Sequence, residues 1–212
     1  MATSQRNTDL VHVGPSLHKV RRGTFPCPVC ARPSPYELMV VRSGVQIAGM
    51  PLLSWGKAAE YVECRVCRST FLTDILRPEA IHWHLRPLHL ETALRVMVLM
   101  VLADGEIQGS EIEMVRSVYR EIGGEELRVS AVRTQVEHAK ADGRDVSTFL
   151  ESEGLLLNDV GKLAVVRSAW RVAVADGEFH GAERALLVRI IKLLGCDAAA
   201  VWRTLGVTFP TS

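Results

Sequence analysis

The chain writes one device twice. Ala103-Asp104-Gly105-Glu106-Ile107-Gln108-Gly109-Ser110-Glu111 and Ala175-Asp176-Gly177-Glu178-Phe179-His180-Gly181-Ala182-Glu183 stand 72 residues apart, with Asp, Gly, Glu, Gly and Glu recurring in register. Each copy follows an apolar run at helical spacing and precedes an amphipathic one. A helix–turn–helix of this kind must bury its apolar stripe against another element, and the natural partner is its own duplicate. In that packing Leu94, Val98 and Leu102 face Val166, Trp170 and Val174, and an approximate two-fold brings Asp104 and Glu106 near Asp176 and Glu178 at one end of a bundle.

Helical periodicity runs from residue 88 almost to the end. It divides into helices at 88–103, 109–122, 125–140, 146–156, 159–174, 181–194 and 198–205. Gly123, Gly124 and Gly195 stand where glycine ends helices, and Asn158 and Asp197 where N-caps begin them. A third Ala141-Asp142-Gly143 lacks the following Glu and reads as a plain helix end. The expected fold class is mainly α, a seven-helix bundle over residues 88–206 followed by a tail at 207–212.

Inside each repeated turn, Gly105 or Gly177 is suited to positive φ, and Ile107 or Phe179 tucks the loop onto the core. Gln108 and His180 then fall at the N-cap with Glu111 and Glu183 at N3, the pattern of a capping box. Asp104, Glu106, Asp176 and Glu178 are harder to place, because acids at a helix C-terminus oppose its dipole unless a cation or an Arg offsets them. The loops are not EF-hands: counting Asp104 or Asp176 as the first position puts Val115 or Leu187 where a bidentate Glu is required. Two readings stand. The turns are solvated and internally hydrogen-bonded, or Asp104, Glu106, Glu111, Asp176, Glu178 and Glu183 from both copies converge on a divalent cation.

Residues 25–76 have a different texture, with short β-prone runs at 36–41, 45–47, 60–63 and 69–73 and a loop at 49–57. They carry Cys27-Pro28-Val29-Cys30 and Cys64-Arg65-Val66-Cys67. Each C-x-x-C sets two thiolates about one tight turn apart, and two such knuckles complete a tetrahedron around zinc. Four cysteines leave no position for a catalytic water, so the site is closed and structural. Arg32, Arg65 and Arg68 flank the pairs and would offset the charge of a tetrathiolate. An iron centre on the same ligands and a pair of disulfides are the alternatives, the latter needing an oxidising compartment. Cys196, after Gly195, reads as a small buried hydrophobe. Since zinc already has four ligands, His82, Trp83, His84 and His89 read as a half-buried hinge around a linker helix at 77–87.

Charge separates the two parts. Residues 1–90 carry eleven Lys/Arg against six Asp/Glu, and residues 91–212 carry fourteen against eighteen. Residues 1–24 read as a flexible basic tail around His18-Lys19-Val20-Arg21-Arg22. The apolar runs fall well short of the ~20 residues that cross a bilayer, and no secretory h-region is visible, so the expected compartment is the cytoplasm with no membrane span. No Ser/His/Asp grouping, P-loop or dinucleotide fingerprint is present, and the chain is not read as an enzyme.

Two resemblances follow from these residues. Cys27-Pro28-Val29-Cys30, Pro51-Leu52-Leu53, Gly56-Lys57 and Glu60-Tyr61-Val62-Glu63-Cys64-Arg65-Val66-Cys67 resemble a bacterial zinc ribbon over about residues 24–74, with Ala31 and Arg68 standing where such knuckles often have Gly. The doubled Ala-Asp-Gly-Glu-hydrophobic-x-x-x-Glu resembles the TerB-like domain over about residues 88–206. That family includes tellurite-resistance proteins and the N-terminal domain of some membrane-bound DnaJ-like chaperones. The resemblance implies a compact helical bundle whose acidic turns are suspected of binding metal ions, and a tie to stress response and envelope-associated complexes. No His-Pro-Asp tripeptide occurs, so a J-domain is not expected. The function expected is a non-catalytic, metal-binding stress-response adaptor with a protein partner. The alternatives are a nucleic-acid-binding regulator using the ribbon and basic tail, which needs a contiguous basic face, and a hydrolase using the doubled acidic turns, which needs a cleft joining them.

Overall fold

The structure, a computed structural model, describes residues 11–47, 50–77, 86–143 and 145–206. Its N-terminal part is an antiparallel sheet of β1 (Val11–Cys27), β2 (Arg32–Ile47), β3 (Met50–Cys64) and β4 (Thr70–Phe71), in the order β1-β2-β3-β4. Two expectations are corrected here. Residues 11–24 are not a tail but most of β1, paired to β2 from Val11↔Ile47 to Cys27↔Arg32 with a bulge between Lys19 and Arg21. The stretch expected as a loop at 49–57 is strand from Met50 onward, Gly49 itself lying outside the described residues. In both segments Gly, Pro and charged residues obscure the period-two pattern, and the pairing comes from the partner strand.

The two faces of this sheet have different tasks. Tyr36, Leu38, Val62, Cys64 and Phe71 close a small core with Phe25 and Ile75. The Phe25 ring stands edge-on to Tyr36 and Phe71, each 5.8 Å away between centroids. Tyr36 also lies over Gly23, where an added Cβ would sit 2.7 Å from the ring, so the crossing admits only glycine. On the other face Met39, Val41 and Tyr61 pack against Leu88, Leu155 and Leu156 of the helical part.

That part has seven α-helices among the described residues: α1 (Leu88–Val101), α2 (Gly109–Glu121), α3 (Val129–Asp142), α4 (Val146–Glu153), α5 (Asp159–Ala173), α6 (Gly181–Leu193) and α7 (Ala198–Leu205). None is long and apolar enough to cross a membrane. The mainly α fold class and the helix count agree with the sequence reading. Asn158 and Asp197 cap α5 and α7 as expected, accepting from the N–H groups of Gly161 and of Ala199 and Ala200. One start differs: α3 begins at Val129 rather than 125, because Gly123 turns the chain with φ 98° and the Leu127 carbonyl is held by Arg116 Nε at 2.7 Å. Buried Val96, Val98, Met100, Val165, Val166 and Ala169 join α1 and α5 at the centre of one continuous core. Of the linker helix expected at 77–87, residues 78–85, with His82, Trp83 and His84, lie outside the described residues, as do residues 1–10 and 207–212, and Arg77, Arg86 and Pro87 are not helical.

Candidate metal centre and the paired acidic turns

Cys27 ends β1 and Cys64 ends β3, while Cys30 and Cys67 lie just beyond them on two knuckles. Their four sulfur atoms all lie within 4.8 Å of one another. Cys27 Sγ is 3.7 Å from Cys67 Sγ, and Cys30 Sγ is 3.9 Å from Cys64 Sγ. A regular tetrahedron with metal–sulfur bonds of ~2.3 Å has edges of ~3.8 Å. A disulfide needs ~2.05 Å, and all four cysteines are free thiols. The donor set and spacing therefore fit a four-coordinate metal ion.

Burial pushes the Cys27 and Cys64 thiols up. Cys67 moves down, because hydrogen bonds from Ser69 and its cysteine neighbours outweigh the effect of its burial. Two buried thiols that resist ionisation would ligate as thiolates once a cation offset that burial.

The knuckle departure noted in the sequence is resolved by the backbone. Ala31 and Arg68 adopt left-handed φ values of 52° and 63°, the conformation glycine would have supplied. Two of the three flanking arginines also pair with carboxylates. Arg65 and Arg68 pair with the buried carboxylates of Glu37 and Glu63, at 3.3 and 3.0 Å. Glu37 also holds Lys19 at 3.1 Å and Arg22 at 3.2 Å, and the Lys19 hydrogen bond is the main cause that keeps its carboxyl below the usual range.

The centre is fastened to the helices by one residue whose second role the sequence did not reveal. Asn158 accepts the Gly161 N–H at 2.9 Å as the α5 cap. Its amide nitrogen donates to Glu63 Oε2 at 2.9 Å and to the carbonyl of Arg68, the residue after Cys67, at 2.7 Å. The cap reading used only the oxygen of this side chain, and no local signal marks the partners of its nitrogen. His89 is likewise satisfied within the helical part, with Nε2 3.3 Å from the Ile122 carbonyl oxygen and burial holding its pKa down.

The acidic turns meet at the other end of α1 and α5. Both copies close identically: Asp104 Oδ1 accepts the Glu106 N–H and Asp176 Oδ1 the Glu178 N–H, each at 3.0 Å. Glu111 Oε2 accepts the Gln108 N–H at 2.9 Å, and Glu183 Oε2 the His180 N–H at 2.8 Å. Gln108 Nε2 crosses from the first turn to Asp176 Oδ2 of the second at 3.2 Å, and His180 Nε2 lies 3.6 Å from that same oxygen. The structure thus brings the two turns together, as the repeat implied. Glu111 and Glu183 are buried caps; Asp104, Glu106 and Glu178 face solvent, while the Asp176 side chain is only 17% exposed. Burial, and then the charges of Asp104, Glu183 and Asp176, push Glu111 up to about 7 against the pull of the Gln108 N–H. Burial also raises Glu183. Among the described residues, the six carboxylates do not bring three ligand atoms within 4.8 Å as the cysteines do.

A bundle of seven helices built on a doubled acidic turn defines the class, and comparison with known families agrees. The family model of tellurite resistance protein TerB matches residues 89–204, more than half of the chain. The chain belongs to the TerB family. No curated protein and no solved structure matches it.

Proposed function

We propose that this TerB-family protein is a non-catalytic, zinc-stapled adaptor of the cytoplasm that acts in stress response through a protein partner. The observation that carries the reading is the convergence of Cys27, Cys30, Cys64 and Cys67 within 4.8 Å, a complete tetrahedral donor set without an open position for substrate. Zinc is favoured over iron because a redox-inert ion suits a closed site with a structural task, and free thiols suit a reducing compartment. The ribbon core is small, so the metal supplies stability that burial alone does not.

At the opposite end of the helices, Asp104, Glu106, Asp176 and Glu178 offer four carboxylates on two joined turns. In this reading they take a divalent cation once one is supplied, and the turn so ordered is where the partner docks. A link to tellurite or related stress is suggested by the family's name. Metal analysis of the purified full-length protein tests the zinc: one zinc per chain is expected, with Cys64→Ser releasing it. Absence of metal, or stoichiometric iron, overturns the reading.

A further inference from the structure

We propose that the cleft between the ribbon and the start of α5 binds the sugar–phosphate backbone of a single nucleic-acid strand, a role that goes beyond the adaptor reading. The cleft has a volume of 300 Å³ and takes Lys19 from β1, Arg65 and Arg68 from the second knuckle, and Lys162 from α5. Arg22 joins this row through the Glu37 carboxylate it shares with Lys19 and Arg65. Lys19 is 53% and Arg22 75% exposed and Lys162 is half-buried, whereas the Glu37 carboxylate beneath the first two is only 4% exposed. Glu63 plays the same part under Arg68, with 6% exposure.

Two buried carboxylates thus act as anchors. They hold the charged ends of the long side chains, at Lys19 Nζ, Arg22 Nε, Arg65 Nη1 and Arg68 Nη1, and leave the remaining N–H groups for an incoming anion, so less conformational entropy is lost on binding than with free lysines. They also leave an excess of positive charge: five cations line or border the cleft against the three acids Glu37, Glu63 and Asp159. Across residues 11–77 nine Lys/Arg face four Asp/Glu, and two of those four are the buried anchors. The result is the basic face that the sequence could not establish, formed by strand β1 where a loose tail was expected.

The row has the form of a track. Cations follow one another from β1 across the knuckle to α5, which suits regularly spaced phosphates better than the uneven acids of a protein surface. Leu17, 54% exposed, and the partly exposed Leu155 lie beside the charges and offer apolar contact to unstacked bases. A duplex keeps its bases inside and would leave those contacts unused.

The test is fluorescence anisotropy of a labelled, mixed-sequence, single-stranded 20-mer with zinc-loaded full-length protein. Contact with three or four phosphates predicts a loss of roughly 20–50-fold in affinity between 50 and 200 mM salt. Lys19→Gln and Lys162→Gln lie on different domains, so a folding defect in one does not silence the other. Each should weaken binding several-fold and make the salt dependence shallower by about 0.7 in log–log slope. Arg133→Gln on α3, outside the cleft, should change nothing, and zinc content and circular dichroism should stay at the parental level in all three. The proposal is overturned by absence of binding at 50 mM salt, by equal losses in Arg133→Gln, or by tighter binding of the same sequence as a duplex. Poly-glutamate competing as well as the strand would also overturn it, assigning the cleft to an acidic protein.

Discussion

Ala31 and Arg68 sit in the left-handed region because the knuckles require it, and each bears a Cβ that the conformation penalises by ~1–2 kcal/mol. Ala31 is exposed, whereas Arg68 is tied to Glu63 through its side chain and to Asn158 through its carbonyl. Ala31→Gly should therefore stabilise the ribbon by about 0.5–1 kcal/mol after the greater unfolded-state entropy of glycine is subtracted. A thermal melt of the zinc-loaded protein checks this, and a lowered midpoint would show that the Ala31 methyl is needed. Glu111 makes a prediction of opposite character. Its folded pKa of about 7 lies above the ~4.3 of a free glutamate. The protonated form therefore favours folding, the contribution is complete below pH ~4, and it is lost as pH rises through about 7. Stability of the helical part should fall across that window by on the order of 2–3 kcal/mol. Glu111→Gln keeps an oxygen for the Gln108 N–H and should flatten the fall; urea midpoints at pH 5 and pH 8 without added divalent cation decide it.

At the scale of elements, the acidic turn is a unit used twice. Gly105 and Gly177 have φ values of 87° and 92°, and an added Cβ at either meets nothing within 4 Å. The cost of substitution is then purely conformational. Gly105→Ala and Gly177→Ala should each destabilise by about 1–2 kcal/mol, and by equal amounts, as read by chemical denaturation. Unequal costs would mean that the Gln108 and His180 variants of the turn differ in more than their side chains. The same local character explains what the sequence disclosed. Helix ends were legible at Asn158, Asp197, Gly123 and Gly195 because caps are written within four residues of the ends they serve. The four thiols were legible because their spacing states the coordination. Strand β1 was not, since Gly14, Pro15, Gly23 and three consecutive residues Val20, Arg21 and Arg22 break the alternation, and its place depends on β2 some twenty residues away. The pairing of Arg65 with Glu37 was hidden for the same reason: it is set by register across the sheet, whereas Arg68 meets Glu63 within the knuckle itself.

The whole molecule is two units joined at few points. Helices α1 and α5 begin at the ribbon and end at the acidic turns, so the candidate zinc centre and the joined carboxylates occupy opposite ends of the same helix pair. The apolar part of the joint is Met39, Val41 and Tyr61 against Leu88, Leu155 and Leu156, and the polar part is Asn158. This side chain allows the two functions of one residue to be separated. Asn158→Asp keeps an oxygen to cap α5, since Asp caps as well as Asn. It removes both amide donors, however, and sets a carboxylate against Glu63 and the Arg68 carbonyl in a buried place. Removing the donors and adding an unpaired charge should cost about 2–4 kcal/mol at the joint. Asn158→Ser also caps but adds no charge, so it should cost less, ~1–2 kcal/mol. The expected signature is a change in cooperativity. The parent should melt in one transition with zinc bound, while Asn158→Asp should melt in two, the ribbon transition alone moving when a chelator is added. Differential scanning calorimetry with and without chelator separates these outcomes, and a single unshifted transition in Asn158→Asp would show that the apolar contacts hold the two units together without it.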